Sequence, residues 1–344
     1  MKSKLVKVSL LAAALLFTTA NFAQQEGSHE KHEKVEPKFK KTKSYSKSYS
    51  LASSDKISLN NQFGEMKLVT WEKNEIKVDV TIIGKSDEEP RAQEIVDRIS
   101  IADGKDGNTV YFKTKFADDK KTSKDDGKKH RNEGMEINYL VYLPSGNSLD
   151  AENQFGKMII PDYRGEAQLE SKFGSLTAGK ISNAKSISVE FGKADVAHMN
   201  GGKLTIKFSS GTVNKLSGDV KSSLEYSKVK LDLDNDVKSL DINNSFSDVY
   251  LDVNTNFSAS YNISTSHGEF SNKTSFAIKD EGSNDDNRYG PRFNKTYSGT
   301  SGSGAAKVKV SSSFGQTTVG HNLQVDMSQK KNKDKDKTKT TRSL

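Results

Sequence analysis

Residues 171–196, SKFGSLTAGKISNAKSISVEFGKADV, contain one short phrase twice: a phenylalanine followed by a glycine, first at Phe173 and again at Phe191. Runs of alternating apolar and polar residues flank both copies, which is the pattern of β-strands with one buried side. The two phenylalanines are 18 residues apart. A similar separation between successive aromatic residues recurs on both the N-terminal and the C-terminal side of this stretch.

The recurring feature is an aromatic residue followed by glycine or serine. Successive aromatics between residues 155 and 246 are separated by 18, 18, 17, 18 and 20 residues. A nearly fixed period of this length is the signature of stacked structural repeats. The six aromatics of the series, and weaker copies before and after it, are Phe155, Phe173, Phe191, Phe208, Tyr226, Phe246, then Phe63 and Phe314.

Each repeat unit follows the same internal rule. An apolar or small residue lies five positions after the aromatic, often with another three positions after it, and alternation also precedes the aromatic. The rule predicts two short strands per unit, one ending at the aromatic and one beginning just after it, with the aromatic in the core. A small residue directly after the aromatic fits a tight corner; glycine fills that position at Gly156, Gly174 and Gly192.

These units predict an all-β solenoid with rungs of about 18 residues, in which equivalent positions of successive rungs stack about 4.8 Å apart. The residue before the aromatic supports in-register stacking, because its charge alternates in sign up one face and relieves repulsion between like charges. An antiparallel sandwich with hairpins of similar length is the alternative. The alternating charges are Lys172, Glu190, Lys207 and Glu225.

The region before the regular units, residues 51–148, predicts strands and one short helix. Ser86 and Glu89 form a capping-box pair, Pro90 lies in the first turn, and apolar residues follow at helical spacing up to Ile99. We expect this helix to cap one end of a solenoid formed by residues 149–325. Strands are predicted near 109–116 and 135–143, and a polar loop near 280–304.

Both termini differ in composition from the repeats. Lysines, a short apolar run and small residues up to Ala23 indicate a signal peptide over residues 1–23. Residues 24–50 predict a disordered linker, and residues 326–344 a disordered basic tail. The leader and the tail account for the net charge of +8. Since nucleic-acid binders concentrate positive charge on a folded face, this distribution argues against nucleic acid as a partner.

The chain contains no cysteine, so disulfides, thiol chemistry and a lipid anchor on cysteine are excluded. The apolar run of the leader is shorter than the roughly 18 residues that span a bilayer, and no other stretch predicts a transmembrane span once the leader is removed. We therefore expect an exported protein, in the periplasm, on the outer-membrane surface or outside the cell. Its oligomeric state does not follow from the sequence.

Several segments together resemble a known family. The signal, the stretch NQFGEMKLVTWEKNEIKVDVTI (61–82), the helix EEPRAQEIVDRI (88–99), the strand INYLVYLPSG (137–146) and the Phe-Gly units look like the "putative adhesin" proteins of Bacteroidetes. The resemblance covers about residues 50–325. It implies a right-handed parallel β-helix in the cell envelope, and it transfers no functional residue.

Few residues suggest chemistry. His29 and His32 lie in the linker, and the other histidines lie apart, at His130, His198, His267 and His321. The run Asp232-x-Asp234-x-Asp236 resembles the start of a calcium loop but lacks its glycine and its final glutamate, so we interpret it as the outer face of a strand. We predict no catalytic residue, no metal and no cofactor.

Two functions fit these observations. The first is a non-enzymatic adhesin or structural protein that presents stacked polar faces to a surface glycan or another envelope protein. The second is a polysaccharide-degrading lyase or glycosidase, which fold analogy alone supports weakly. A glycosidase needs two carboxylates about 5–10 Å apart across a cleft, and the candidates on neighbouring units are Asp232, Asp234, Asp248 and Asp252.

Overall fold

The computed structural model describes residues 36–117, 132–282 and 293–327. Within these ranges the chain is all-β, with one helix and one sheet of 21 strands whose pairing is mostly parallel. The elements are β1 (Phe39–Ser50), β2 (Lys56–Gln62), β3 (Met66–Thr70), β4 (Glu75–Ser86), α1 (Glu89–Asp97), β5 (Ile99–Asp106), β6 (Thr109–Phe116), β7 (Gly134–Leu143), β8 (Ser148–Gln154), β9 (Lys157–Ile160), β10 (Tyr163–Lys172), β11 (Ser175–Glu190), β12 (Lys193–Lys207), β13 (Ser210–Glu225), β14 (Lys228–Ser245), β15 (Asp248–Val253), β16 (Ala259–Ser266), β17 (Glu269–Lys273), β18 (Lys279–Asp280), β19 (Asn294–Ser301), β20 (Ala306–Ser313) and β21 (Gln316–Gly320).

The repeat units lie beside one another in parallel register. Leu176 of β11 pairs with Ala194 of β12, and Ala194 pairs with Gly211 of β13, so equivalent positions of consecutive units are neighbours. Strands end directly before the aromatic and begin two residues after it, as the internal rule predicts. Parallel pairing between units contradicts the antiparallel sandwich. A parallel pair requires a crossover connection, and each unit supplies one.

The core consists of the positions that the alternation predicted. The residues three and five positions after the aromatic are buried, and so are the apolar residues two and four positions before it in the central units, for example Val189 and Ile187. Full burial of one such aliphatic side chain contributes about 1.5–3 kcal/mol. The buried residues five positions after each aromatic are Leu68, Ile160, Ala178, Val196, Val213, Leu231, Leu251 and Val319.

The helix α1 is present but shorter than predicted. It begins at Glu89, and Glu88 at its N-cap makes no side-chain capping bond, so the predicted capping box is wrong. Ser86 instead accepts a hydrogen bond from the Glu88 N–H, at 3.2 Å. Pro90 lies in the first turn as expected, where its missing N–H has no helical partner to lose. Ala92, Ile95 and Val96 form the buried side of α1.

Two segments that were predicted to lack structure contain strands. Residues 39–50 of the predicted linker form β1, which pairs antiparallel with β4 over twelve residues. Residues 294–301 of the predicted loop form β19, which pairs antiparallel with β16. Tyr45 and Tyr49 of β1 and Tyr297 of β19 pack against the core, and Ser301 at the end of β19 is buried, whereas the other side chains of both strands are half-buried or exposed. The sequences of these strands are mostly polar, because few of their side chains are buried, and they therefore lack the apolar alternation that predicts a strand.

The last units do not lie in chain order. β20 pairs with β14 on one side and with β16 on the other, and β21 lies between β15 and β17. The unit around Phe314 is therefore inserted between the unit of Phe246 and that of His267. Across the described residues, no helix has both the length and the apolar character needed to cross a bilayer.

Candidate functional site: the outer corner and its two faces

The aromatic of each unit lies at a corner of the backbone in the left-handed conformation. Its φ angle is between 48° and 62° in all nine units, although the residue is not glycine. Aromatic side chains rarely adopt this conformation, and each such residue costs roughly 1–2 kcal/mol. The nine corner residues are Phe63, Phe155, Phe173, Phe191, Phe208, Tyr226, Phe246, His267 and Phe314.

The rings of these residues stack in one outer column, which we call the aromatic ladder and which Phe293 extends beyond His267. Neighbouring ring centroids are 4.6–5.1 Å apart, close to the spacing of adjacent strands, and all pairs are nearly parallel. The seven corner aromatics from Phe155 to Phe314 are 44–54% exposed. The prediction that these aromatics belong to the core is therefore wrong: the left-handed corner turns each ring outward.

The small residue after each aromatic lies against the backbone of the neighbouring unit. A Cβ atom on Gly174 would lie 1.9 Å from the carbonyl oxygen of Gly156, and one on Gly192 equally close to that of Gly174. These glycines do not have positive φ angles, so close approach is what requires them. Serine serves differently: the Ser209 hydroxyl accepts a bond from the Gly192 N–H at 2.9 Å and donates to the Lys207 carbonyl at 2.6 Å.

Stacking decides what the ladder can recognise. Within the column, each ring covers the faces of its neighbours, and Phe116 makes a T-shaped contact with Phe63 at one end. Sugars, bases and cations bind aromatic faces, whereas this column presents ring edges to solvent. The ladder is therefore poorly suited to stacking on a ligand. It stabilises the alignment of units, at about 0.5–1.5 kcal/mol per pair.

The strands that end at the corner present one outer surface, the pre-corner face. Next to the ladder it contains the predicted column of alternating charge, since Lys172 pairs with Glu190, Glu190 with Lys207, and Lys207 with Glu225 in register. The Lys207 Nζ lies 3.0 Å from a Glu225 carboxylate oxygen. The alternation predicted from the sequence is confirmed.

Further from the ladder, the pre-corner face contains a concavity of about 920 Å³. It crosses β11–β14 and β20, and five lysines surround a line of small polar residues. Residue patterns did not reveal it, because its lysines come from four separate strands and become neighbours through pairing across units. The lysines are Lys185, Lys203, Lys221, Lys307 and Lys309.

The strands that begin after the corner present the opposite, post-corner face, which contains the carboxylates considered for catalysis. Asp232 and Asp252 pair in register, and Lys230 Nζ lies 3.1 Å from an oxygen of each. Asp234 contacts Lys215 at 2.9 Å. Burial raises the pKa of Asp232 above its ordinary value, outweighing the nearby lysine. Asp232 and Asp234 thus point outward and contact lysines, as the strand interpretation predicts.

A terminal strap, residues 321–327, crosses the post-corner face. The Leu323 N–H donates to the Asp252 carboxylate at 2.9 Å, and Lys228 Nζ donates to the Asp326 carbonyl. Met327 reaches the groove beside Phe191 and Phe208. The strap therefore covers one of the candidate carboxylates and runs back across several units. Residues 328–344 of the predicted tail lie outside the described residues.

The histidines that the structure describes lie apart from one another. His198 Nε2 lies 2.9 Å from the Ser217 hydroxyl, which in turn contacts Asn200, and burial lowers the pKa of His198. His321 Nδ1 lies 2.7 Å from the Val253 carbonyl and anchors the strap. In the described ranges, no group of three or more His, Asp or Glu side chains could hold a metal ion. His29, His32 and His130 lie outside those ranges, as does the predicted signal peptide.

No family model matches the chain, and no curated protein matches it. Solved structures to which this chain is similar include a putative cell adhesion protein from Clostridium sporogenes (12% identity, TM-score 0.24, covering 82% of this chain and 100% of that one). They also include a putative adhesin from Bacteroides fragilis (15%, 0.34, 83% and 99%) and a putative lipid binding protein from Parabacteroides distasonis (11%, 0.30, 83% and 99%).

The proteins that this chain is similar to thus include the bacterial adhesin-like proteins that the sequence resembles.

Proposed function

We propose that this protein is an exported, non-enzymatic binding protein of the cell envelope, and that its repeat units are rungs of a right-handed parallel β-helix. Parallel pairing of consecutive units in register supports the helix. Parallel strands in one sheet are almost always joined by right-handed crossovers, which supports its hand. The leader over residues 1–23 supports export, and residues 149–325 would form the helical part.

The shape and composition of the pre-corner face support the binding role most directly. Its outward side chains are polar, they repeat in register from unit to unit, and they form a long open concavity instead of an enclosed pocket. Such a surface suits an extended partner that makes many weak and similar contacts, whose combined affinity exceeds that of any one of them. A surface glycan has this form, and we propose it as the partner.

The post-corner face supports the enzymatic alternative less well. Glycoside hydrolysis needs one carboxylic acid and one free carboxylate on opposite sides of a bond. The raised pKa of Asp232 fits an acid, but its neighbour Asp252 shares Lys230 with it and accepts a hydrogen bond from the strap. Both aspartates also lie on one side of an open face, with no opposing wall from their own strands.

A single assay separates the two functions. We expect the purified protein to be retained on some members of a panel of neutral and acidic polysaccharides, with no new chain ends released in the same wells. Release of chain ends that is abolished by Asp232→Asn would instead establish a polysaccharide-degrading enzyme. Absence of retention on every polymer would contradict the proposed glycan-binding role.

A further inference from the structure

The concavity on the pre-corner face, which we call the lysine trough, is built from two neighbouring columns. Small polar side chains form its floor, where Ser223 and Asn243 pair in register, and Thr205 and Ser311 continue the same column beyond them. Two positions earlier in the same strands, a second column forms one wall of the trough, and it consists of Lys203, Lys221, Asp241 and Lys309.

The charge of this wall differs from that of the column beside the ladder. In the column beside the ladder, lysine and glutamate alternate, and on the post-corner face Lys215 and Lys230 are paired with aspartates. In the trough, Lys203 lies directly beside Lys221, in register. Like charges that face each other across neighbouring strands destabilise the sheet. A stacked lysine pair is therefore a cost to folding that a ligand could offset.

The trough retains excess positive charge. Its five lysines face two aspartates, Asp219 and Asp241, which leaves a net charge of +3 among its lining residues. None of the five lysines has an ion pair within 4 Å in the part of the chain that the structure describes. The Asp219 carboxylate accepts a hydrogen bond from the Ser239 hydroxyl at 2.6 Å. The trough is thus suited to an anionic ligand.

The side chains that line the trough indicate which class of anionic ligand it suits. Hydroxyl and amide groups, such as those of Ser223 and Asn243, can exchange hydrogen bonds with the hydroxyls of sugars. The lining contains no aromatic side chain, whereas single-stranded nucleic acid is bound largely by stacking on aromatic faces. It also presents no exposed large apolar side chain of the kind that inserts into a lipid surface.

We infer that the lysine trough binds an acidic polysaccharide, extended in the direction in which the units stack. This inference rests on the proposed function and names the ligand class for it. Neighbouring positions of the wall are one strand spacing apart, about 4.8 Å, so that carboxylate or sulfate groups along a polymer meet lysines from several units. Asp241, between Lys221 and Lys309, interrupts the row of lysines at one position.

The test compares two triple variants with equal loss of charge. Lys203→Gln, Lys221→Gln and Lys309→Gln remove charge from the trough while keeping an unbranched polar side chain. Lys157→Gln, Lys180→Gln and Lys193→Gln remove the same charge from exposed lysines outside it. The probes for the purified protein are polygalacturonate, its uncharged methyl ester, single-stranded DNA and phosphatidylglycerol vesicles. Because all six lysines are exposed, we expect both variants to fold, and circular dichroism checks this.

We expect polygalacturonate to bind the unchanged protein and the control variant similarly, and the trough variant at least about tenfold more weakly, with salt weakening binding throughout. Equal weakening in both variants would show non-specific attraction and overturn the inference. Retention of the methyl ester, unaffected by the trough variant, would leave glycan binding intact and also overturn it. Tighter binding of DNA or vesicles than of polygalacturonate would assign the trough to another ligand class.

Discussion

Replacing Gly174 with alanine is expected to lower the free energy of unfolding by about 3 kcal/mol or more, because overpacking against atoms that cannot move is among the costliest single changes. The added Cβ would lie 1.9 Å from the Gly156 carbonyl oxygen and 2.8 Å from its carbon. Both atoms belong to backbone that is itself hydrogen-bonded, since the Ser175 N–H donates to that oxygen. Relief would require neighbouring units to separate.

Gly146→Ala is the matched control, since a Cβ at that position meets no atom within 4 Å. Gly146 also has no positive φ angle, so alanine introduces no strain there. Urea denaturation of the two variants measures the difference in unfolding free energy. Similar stability of Gly174→Ala and Gly146→Ala would show that the units are not packed against one another as described.

The second large effect concerns the ladder. Phe191→Ala is expected to destabilise the protein by about 2 kcal/mol, because two stacked pairs of about 0.5–1.5 kcal/mol each are lost. These pairs join Phe191 to Phe173 and Phe208, at 5.0 Å and 4.8 Å. Phe191→Gly loses the same contacts but relieves the left-handed backbone. We therefore expect the glycine variant to be more stable than the alanine variant by about 1 kcal/mol.

Val189 provides the control, because it is fully buried in a regular strand of the same unit. There glycine adds a backbone cost of about 0.5–1 kcal/mol to the lost side chain, so Val189→Gly should be less stable than Val189→Ala. The order of the two variants is thus reversed between positions 189 and 191. If Phe191→Gly were the less stable variant at 191 as well, the corner could not be left-handed.

The sequence predicted the repeat units well because their cause is local and periodic. Burial of alternate side chains requires apolar residues at fixed positions, and Leu231 and Leu251 occupy equivalent buried positions of successive units. The outward position of the aromatics was not predictable from hydrophobicity. Buried positions alternate regularly up to two residues before the aromatic, and the alternation resumes after it with its phase shifted by one residue. The pattern therefore does not predict whether the corner residue itself is buried or exposed.

The missing members of the ladder have identifiable signals. His267 is followed by glycine, as in the phrase that opens most units, and it has the same backbone conformation as the phenylalanines. A search for any planar side chain before a small residue would have found it. Its place beyond Phe314 depends on the insertion of β20 and β21 between earlier strands. The spacing of the aromatics along the chain does not predict that insertion.

The lysine trough could not be predicted for a similar reason. In its wall, Lys221 pairs with Asp241 and Asp241 pairs with Lys309. Lys309 belongs to the inserted unit, so its place beside Asp241 does not follow from chain order. The net charge of the chain does not indicate a basic face either, since residues outside the leader and the tail are nearly neutral in total. Local imbalance on one face is compatible with overall neutrality, because the paired columns elsewhere contribute no net charge.

The register between units is the central claim, since the ladder and the trough both depend on it. The chain has no cysteine, so engineered pairs report on it cleanly. The most direct pair is Asn243→Cys with Ser311→Cys, because these residues are far apart in sequence but paired in register. We predict complete disulfide formation under mild oxidation, since paired Cα atoms lie within the roughly 4.4–6.8 Å that a disulfide spans.

Asn243→Cys with Lys309→Cys is out of register by two residues and is expected to remain reduced. Mass spectrometry of the oxidised proteins distinguishes the two results. Efficient linkage of the 243–309 pair, or none of the 243–311 pair, would contradict the in-register arrangement on which the ladder and the trough depend.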